Sequence, residues 1–421
     1  MATISYLAPE FGALSSTFVY REVAELRARG YLVQTLSTRQ PADSVISAEA
    51  IPFVEQTEYL DDRNNAAKVL DAVSILVNKP HAFLHALSVV IRDSITCEAP
   101  RSIDRLKLFW HFIQGCSVAR RLDAAQSVHL HAHFAHVPTS IAMYGAMLAG
   151  ASFSFTAHAN DLFERGVALR QKVARAAFVA CISDYNRRFL VDRGCEGSKL
   201  HVVRCGVDAD AYPMRESKEV NDPPSISLVA RLVEKKGVSV LVEALALLRD
   251  RGVAFHMTIV GEGPLEDSIR RQIRSASLEG SVHMMGAQPQ ELVREVFRNT
   301  DVFVLPCVEA KSGDMDGIPV VLIEALALGV PVVSTDVSGI PELVETGVSG
   351  LLVATGDAGA LAEGLAELLA DPVRGREYAV AGRAVVETQF ESSCNGDRLA
   401  RLIEQAVSAH AGAALAARAH V

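Results

Sequence analysis

Asp316 and Glu324 stand eight positions apart (324 − 316), and Gly317, Ile318, Pro319 and Val320 lead from the first into an apolar run. Pro suits the first helical position, where its missing N–H has no intrahelical partner, so a helix is predicted to start near Pro319. The free amides of that start point back toward Asp316 and favour an anion such as phosphate. One carboxylate precedes the anion site and the other lies about one turn inside it. Such a pair can accept hydrogen bonds from sugar hydroxyls on either side of a bound phosphate, which is a layout for a nucleotide sugar. A Gly-Pro helix start beside two acids also arises by chance in α/β proteins, so the surrounding chain carries the decision.

Cations stand where a diphosphate would need them. Arg231 follows a strand-like run, and Lys236 precedes Gly237 and a helical pattern. Arg offers a fork and Lys a point charge to phosphate oxygens; the plain alternative is a solvated basic turn. His158 also follows a strand pattern and precedes Asn160 and Asp161, which can orient it or cap the next turn. Gly12, Ser16 and Thr17 lie in a loop before the first helix, where Ser16 or Thr17 can cap that helix or approach a ligand. His129, His131, His133 and His136 crowd one stretch, and a strand over 129–133 puts three of them on one face. No Cys or carboxylate within that stretch completes a metal site, so no metal is assigned, and His133 is instead a strand-end residue able to line a cleft. Asp314-Met315-Asp316 spells an acidic pair able to bind a metal diphosphate, but cations elsewhere can neutralise phosphate, and the match reads as coincidence.

These residues need elements to hold them. The second half alternates short β-rich runs with helical patterns: strands at 226–230, 256–260, 282–285, 302–305 and 331–334, and helices such as 238–251 between them. The first half repeats the theme, with strands near 4–8, 32–36, 129–133, 152–156, 178–182 and 200–203, a helix over 18–29, and a mostly helical segment from about 63 to 125. Val302-Phe303-Val304-Leu305 is apolar without alternation, as a sheet covered on both faces requires. The rhythm predicts an α/β chain with two parallel sheets flanked by helices. Ligands of such sheets bind beyond the carboxyl ends of the strands, and the candidates above fall there. The polar, Pro-ended stretch 215–224 reads as a linker, giving domains over 1–215 and 216–390. A last helix over about 395–409, after a break near 390–393, belongs to a terminal segment 391–421 able to pack back on the first domain, and the Ala-rich tail from His410 is expected to fray.

Bulk properties narrow the class. With 421 residues, 49% of them hydrophobic, the chain is long enough for two cores. A net charge of −9 argues against nucleic acid as a partner. Seven cysteines without paired spacing suit a reducing compartment. The N-terminus lacks a signal-peptide pattern and no long uncharged apolar run appears, so a cytoplasmic protein is expected. Between residues 81 and 125, Leu84, Ile91, Leu106 and Trp110 mix with Arg101, Arg105 and Lys107, a composition that fits either helices packed on the first domain or contact with an anionic membrane at its inner face.

Arg231 with Lys236-Gly237, Gly261-Glu262-Gly263-Pro264, and the run from Asp316 through Glu324 to Val333 together resemble retaining glycosyltransferase family 4. Pro9-Glu10-Phe11, Ser15 to Phe18, and Phe155 to Asp161 are similar to its branch that builds exopolysaccharides such as colanic acid. The resemblance covers about residues 3 to 390. It implies the GT-B fold, two Rossmann-like domains with parallel sheets facing across a cleft, and no dependence on a metal or cofactor. It further implies that Arg231 and Lys236 hold the donor diphosphate, that Glu324 binds the ribose, and that the amides of Gly317, Ile318 and Val320 meet sugar and phosphates. Asp316 stands where the family has the first Glu of a paired motif that contacts the transferred sugar, and it is one methylene shorter. The base is expected near Gly261 and Met285, His158 on the donor sugar, and Arg204 in a loop resembling the family's at the end of the first domain.

The expected activity is retaining transfer of a hexosyl unit from a UDP- or GDP-sugar to a hydroxyl of a glycan or lipid-linked acceptor. Front-face attack is expected, with the leaving phosphate taking the acceptor's proton. Two alternatives stay open: a sugar-nucleotide epimerase, which would need no acceptor, and a non-catalytic nucleotide-sugar-binding regulator.

Overall fold

The computed structural model describes residues 3–12, 17–41, 46, 48–99, 101–215 and 220–419. Ser16, a candidate above, lies outside the described residues. The chain forms two compact units, Met1–Arg204 with Asn395–Val421, and Cys205–Cys394.

In the first unit seven strands are all parallel: β1 (Thr3–Ala8), β2 (Leu32–Ser37), β3 (Glu58–Tyr59), β4 (His129–His133), β5 (Ser152–Ala157), β6 (Val179–Cys181) and β7 (Leu200–Val202). Their order is β3-β2-β1-β4-β5-β6-β7. Chain order reverses between β1 and β4, a topological switch point where open α/β sheets bind ligands. Alternation within β4 serves two cores. Leu130 and Ala132 enter one with Leu7, Leu36 and Phe155. The three histidines take the opposite face, where Tyr6 packs on His131 with ring centroids 4.9 Å apart. That second core also contains Ile4, Val23 and Phe178.

The second unit repeats the plan with β8 (Ser225–Val229), β9 (His256–Val260), β10 (Val282–Gly286), β11 (Val302–Leu305), β12 (Val332–Thr335) and β13 (Leu351–Val353). These are parallel in the order β10-β9-β8-β11-β12-β13, so the switch point falls between β8 and β11. The helix Val320–Ala327 is apolar nearly all round and buries Leu322, Ile323, Leu326 and Ala327. Each fully buried Leu or Ile contributes roughly 1.5–3 kcal/mol, which anchors the helix start where the site needs it.

Four sequence expectations shift in detail. Pro319 is the cap (φ −62°, ψ 124°), and the helix begins one residue later at Val320. The units divide at 204/205 rather than 215/216, because Val207 and Tyr212 join the core of the second unit and the Arg215 amide donates to the Leu328 carbonyl. The last helix runs from Ser392 to Ala419, so residues 410–419, expected to fray, continue it instead. Its residues Leu399, Ala400, Ile403 and Ala406 pack into the first unit's core beside Ile4 and Tyr6, and the second change of unit therefore falls at 394/395 rather than 390/391. Strands β3 and β13 have two and three residues and were not read from sequence; such short pairings leave no alternation to detect.

Candidate functional site

Glycines stitch the carboxyl ends of β8, β9 and β10 together. Gly261 sits at φ +132°, and a Cβ there would come within 1.8 Å of the Ala230 carbonyl oxygen. A Cβ at Gly263 would come within 2.6 Å of the Leu232 carbonyl oxygen. The Leu232 amide donates to the Glu262 carbonyl, and the Gly261 amide to that of Gly286. Only glycine permits this approach, which fixes the turn carrying Arg231. On the other side of the switch point, Gly237 (φ +65°) lies against the Pro306 carbonyl, and the Val308 amide donates to the Lys235 carbonyl at 2.9 Å. The loops after β8 and β11 are therefore joined.

That junction brings Lys236 and Asp316 together. Lys236 Nζ lies 2.5 Å from Asp316 Oδ2, and Lys235 Nζ lies 3.3 Å from Oδ1. Lys235 also pairs with Asp314 at 3.0 Å, so the acidic pair at 314 and 316 is already neutralised by two lysines. The Cys307 thiol donates to Asp316 Oδ2 at 3.4 Å. Burial raises the Asp316 carboxyl, but Lys236 and Lys235 more than offset it and hold it below its ordinary value. Burial lowers the Lys236 ammonium, and Asp316 reverses that to a net rise, while the charge of nearby Arg231 opposes it. Both groups of the pair stay ionised. Arg231 is exposed and has no carboxylate partner among the described residues.

Beyond Asp316, Gly317 and Ile318 are buried and Val320 and Val321 half-buried, and the amides of all four have no acceptor among the described residues. Buried amides in proteins are almost always paired. Four free donors at a helix start, with Lys236 bound to the adjacent Asp316, are a donor set of the kind that suits an anion. One turn inside, Glu324 is 5% exposed. Its Oε1 accepts from the Tyr212 hydroxyl at 2.8 Å and the Gln290 amide at 2.9 Å. Met285 and Gly261 close the same strand ends, the Met285 carbonyl accepting from Gln288. The structure thus gathers Arg231, Lys236, Gly261, Met285 and Asp316 through Glu324 at one set of strand ends. Lys235, Cys307, Tyr212 and Gln290 were missed by sequence reasoning; Lys235, Tyr212 and Gln290 act through partners 34 to 112 positions away, and Cys307, nine positions before Asp316, lies in a loop without a periodic signal.

The remaining candidates belong to the first unit. His133 Nε2 lies 2.9 Å from Glu22 Oε1, and its Nδ1 lies 3.1 Å from His158 Nε2. The Tyr6 hydroxyl donates to the same Glu22 oxygen at 2.6 Å. Phe134 is held at φ +69°, a costly conformation for an aromatic residue, and its ring covers His158 at 4.4 Å. Phe18 covers it from another side at 4.6 Å. Burial first, then His133 and His136, push His158 well below the ordinary histidine range, so it is neutral.

Asp161 is fully buried. Its Oδ2 accepts from the Ala135 amide at 2.5 Å and the His158 amide at 3.0 Å, so it positions His158 through the backbone. Lys172 Nζ donates to the Ala135 and His136 carbonyls at 2.6 and 3.0 Å, and burial lowers it to about 7.

His129 and His131 have both ring nitrogens paired with Ser152, Ser154 and Thr156. The carboxylate absent from their stretch of sequence is supplied by Glu22: Glu22, His131 and His133 place three potential ligand atoms within 4.8 Å of one another. Gly12 (φ +89°) is required by packing, since a Cβ would meet Val54 at 2.5 Å. Thr17 is buried as the first residue of its helix. Arg204 lies in the first unit, where its guanidinium is 3.8 Å from Asp184.

Fold and sequence now define a class. Residues 213–384 match the family described as glycosyl transferases group 1. The chain has the GT-B fold, and the matched segment is what it shares with that family.

Among curated proteins it is 40% identical over 216 residues to amylovoran biosynthesis glycosyltransferase AmsK of Erwinia amylovora, covering 51% of this chain and 53% of the relative. It is 46% identical over 197 residues to putative colanic acid biosynthesis glycosyltransferase WcaL of Escherichia coli, covering 47% and 48%. The chain thus spans about half the length of these curated relatives. A solved structure of Anabaena HepE in complex with UDP superposes with a TM-score of 0.70 at 15% identity, covering 96% of this chain and all of that one. Sucrose-phosphate synthase from Thermosynechococcus elongatus gives 0.70 at 19% identity, covering 97% and 100%. At these identities the structures speak for the fold alone.

Proposed function

We propose that the protein is a retaining glycosyltransferase that moves a hexosyl unit from a UDP- or GDP-sugar to a hydroxyl of a glycan or lipid-linked acceptor in exopolysaccharide synthesis. The observation that carries this reading is the loop after β11: four amides without an acceptor among the described residues, with Lys236 and Arg231 at the switch point. A diphosphate fits that donor set, and Glu324 beside it suits a ribose. The relatives named for amylovoran and colanic acid biosynthesis support the product class. No side chain among the described residues is set up as a nucleophile at these strand ends. Catalysis then rests on positioning and on stabilising charge on the leaving diphosphate, whose oxygen takes the acceptor's proton. Neither a metal nor another cofactor is assigned a part in this reading. The test is transfer from a panel of UDP-, GDP- and ADP-sugars, with the product's anomeric configuration read by NMR. Product with the donor's configuration supports the reading, and inversion refutes its retaining part.

We further propose that the first unit meets an anionic membrane surface. No helix among the described residues is long and apolar enough to cross a membrane. Three packed helices, Asn65–Asn78, Pro80–Thr96 and Ser102–Ala125, each leave an apolar stripe exposed at helical spacing: Leu70, Val73 and Val77; Leu84, Ile91 and Ile95; Ile103, Leu106 and Trp110. Arg92, Arg101 and Lys107 are exposed beside them. Apolar stripes edged by cations suit an anionic interface. Cosedimentation with anionic but not neutral vesicles, lost in a Leu70→Glu/Leu106→Glu variant, is the expected result; equal recovery with both vesicle types contradicts it.

A further inference from the structure

We propose that Glu22, His131 and His133 form a binding site for a divalent late transition-metal ion, with zinc as the probe. The ion is given no part in transfer, so the site stands apart from the donor reading.

Two elements bring the ligands together. Strand β4 turns His131 and His133, two positions apart, to one face. The helix Thr17–Ala28 lays Glu22 across them. Glu22 Oε1 lies 2.9 Å from His133 Nε2 and 3.9 Å from His131 Nε2, and the three atoms fall within 4.8 Å of one another. Around a tetrahedral zinc with bonds of about 2.0–2.1 Å, neighbouring ligand atoms stand about 3.4 Å apart. Both of the Glu22 separations differ from that value by about 0.5 Å, a shift that side-chain adjustment can absorb. The two rings stand edge to face at 77° rather than stacked.

A metal-bound imidazole carries its hydrogen on the other nitrogen and donates it to an orienting partner. Both histidines have one. His131 Nδ1 lies 2.7 Å from the Ser154 hydroxyl, and His133 Nδ1 lies 3.1 Å from His158 Nε2. A hydroxyl oxygen and a ring nitrogen can each accept, so no tautomer of the metal-free protein has to be assumed. The Tyr6 hydroxyl, 2.6 Å from Glu22 Oε1, holds the carboxylate in place. The ion displaces the contact of His133 with Glu22 and that of His131 Nε2 with Thr156, and coordinate bonds replace them. Glu22, with 18% of its side chain exposed while both rings are buried, is the way in.

Two imidazoles with one carboxylate suit zinc, copper, nickel or iron, whereas magnesium and calcium take oxygen ligands. An ion held here pins the first helix to a central strand at the switch point.

The test is calorimetric titration of untagged full-length protein with zinc and with magnesium. It is run in a His81→Ala/His85→Ala background, which removes an exposed pair four positions apart on the helix Pro80–Thr96. Zinc should bind at one site per chain, and magnesium should not. Outer partners of metal-bound histidines are worth about 10- to 100-fold in affinity, so Ser154→Ala should weaken zinc binding by that factor, and loss of a ligand in Glu22→Gln or His133→Gln should weaken it further. Excess zinc should also raise the thermal midpoint of the background protein, as any ligand of the folded state does, and leave that of Glu22→Gln unchanged. Absence of zinc binding to the background protein overturns the inference, and so does an unchanged affinity in both Glu22→Gln and His133→Gln.

Discussion

Lys236 and Asp316 form a pair that a ligand must enter. With Asp316 12% and Lys236 15% exposed at the side chain, neither ammonium nor carboxylate is fully solvated, and removing one partner leaves the other uncompensated. Asp316→Asn is expected to destabilise the second unit by about 2–4 kcal/mol. A nucleoside diphosphate should restore more stability to the variant than to the wild type, because phosphate replaces the lost negative charge beside Lys235 and Lys236. Thermal shifts with UDP and GDP check this; an equal shift in both proteins contradicts the placement of the diphosphate. Glu324→Gln keeps the shape but changes what Tyr212 and Gln290 meet, and it should raise the donor KM about tenfold with a smaller effect on kcat, measured by steady-state kinetics. At this scale the sequence was partly legible. The Gly-Pro step before Val320 announces the anion site by local rules, and Lys236 and Arg231 flank glycine turns that any reading can find. Glu22 was not legible, because on its own helix it looks like one more surface charge among Arg21 and Glu25, and only the packing of that helix against β1 and β4 brings it to His133.

Elements place these residues through buried backbone contacts rather than through the ligand-facing side chains. Asp161 holds the amides of Ala135 and His158, and Lys172 holds the carbonyls of Ala135 and His136. Together they tie the turn after β4 to the end of β5. Asp161→Ala should cost about 2–4 kcal/mol through two orphaned amides and an uncompensated Lys172, read from urea unfolding. It should also reduce transfer by loosening His158; full stability with full activity would refute this role. The β-rich runs read from the sequence correspond to eleven of the thirteen strands. Periodicity failed for β3 and β13, which pair over two and three residues. It also stopped the last helix at 409, because an Ala- and Gly-containing stretch carries little periodic signal, although it continues to Ala419.

Across the whole molecule the two units differ in how they respond to acid. Burial lowers His111, His129 and His136 to about 3, and lowers His131 and His158 well below the ordinary range. All five belong to the first unit. Their folded pKa values lie below the unfolded value near 6.5, so the unfolded chain takes up protons first. The stability they support is present above pH 6.5 and is lost as the pH falls toward 3, at about 1.4 kcal/mol per pH unit for each group. The chain's single tryptophan, Trp110, sits in that unit, so its fluorescence should report a urea midpoint that drops steeply between pH 7 and 5, and a constant midpoint would contradict the neutral histidine layer. Two parallel sheets were legible from the alternation of strands and helices, whereas the strand orders that make the switch points and the division at Arg204 were not, the latter because it depends on where Val207 and Tyr212 pack. The account as a whole stands on the second sheet's strand ends gripping a nucleoside diphosphate, and calorimetric titration of the full chain with UDP, GDP and their sugars tests that most directly. One of these ligands should bind to the wild type, with affinity falling about a hundredfold in Lys236→Ala and at least tenfold in Arg231→Ala; unchanged affinity in both variants would contradict it.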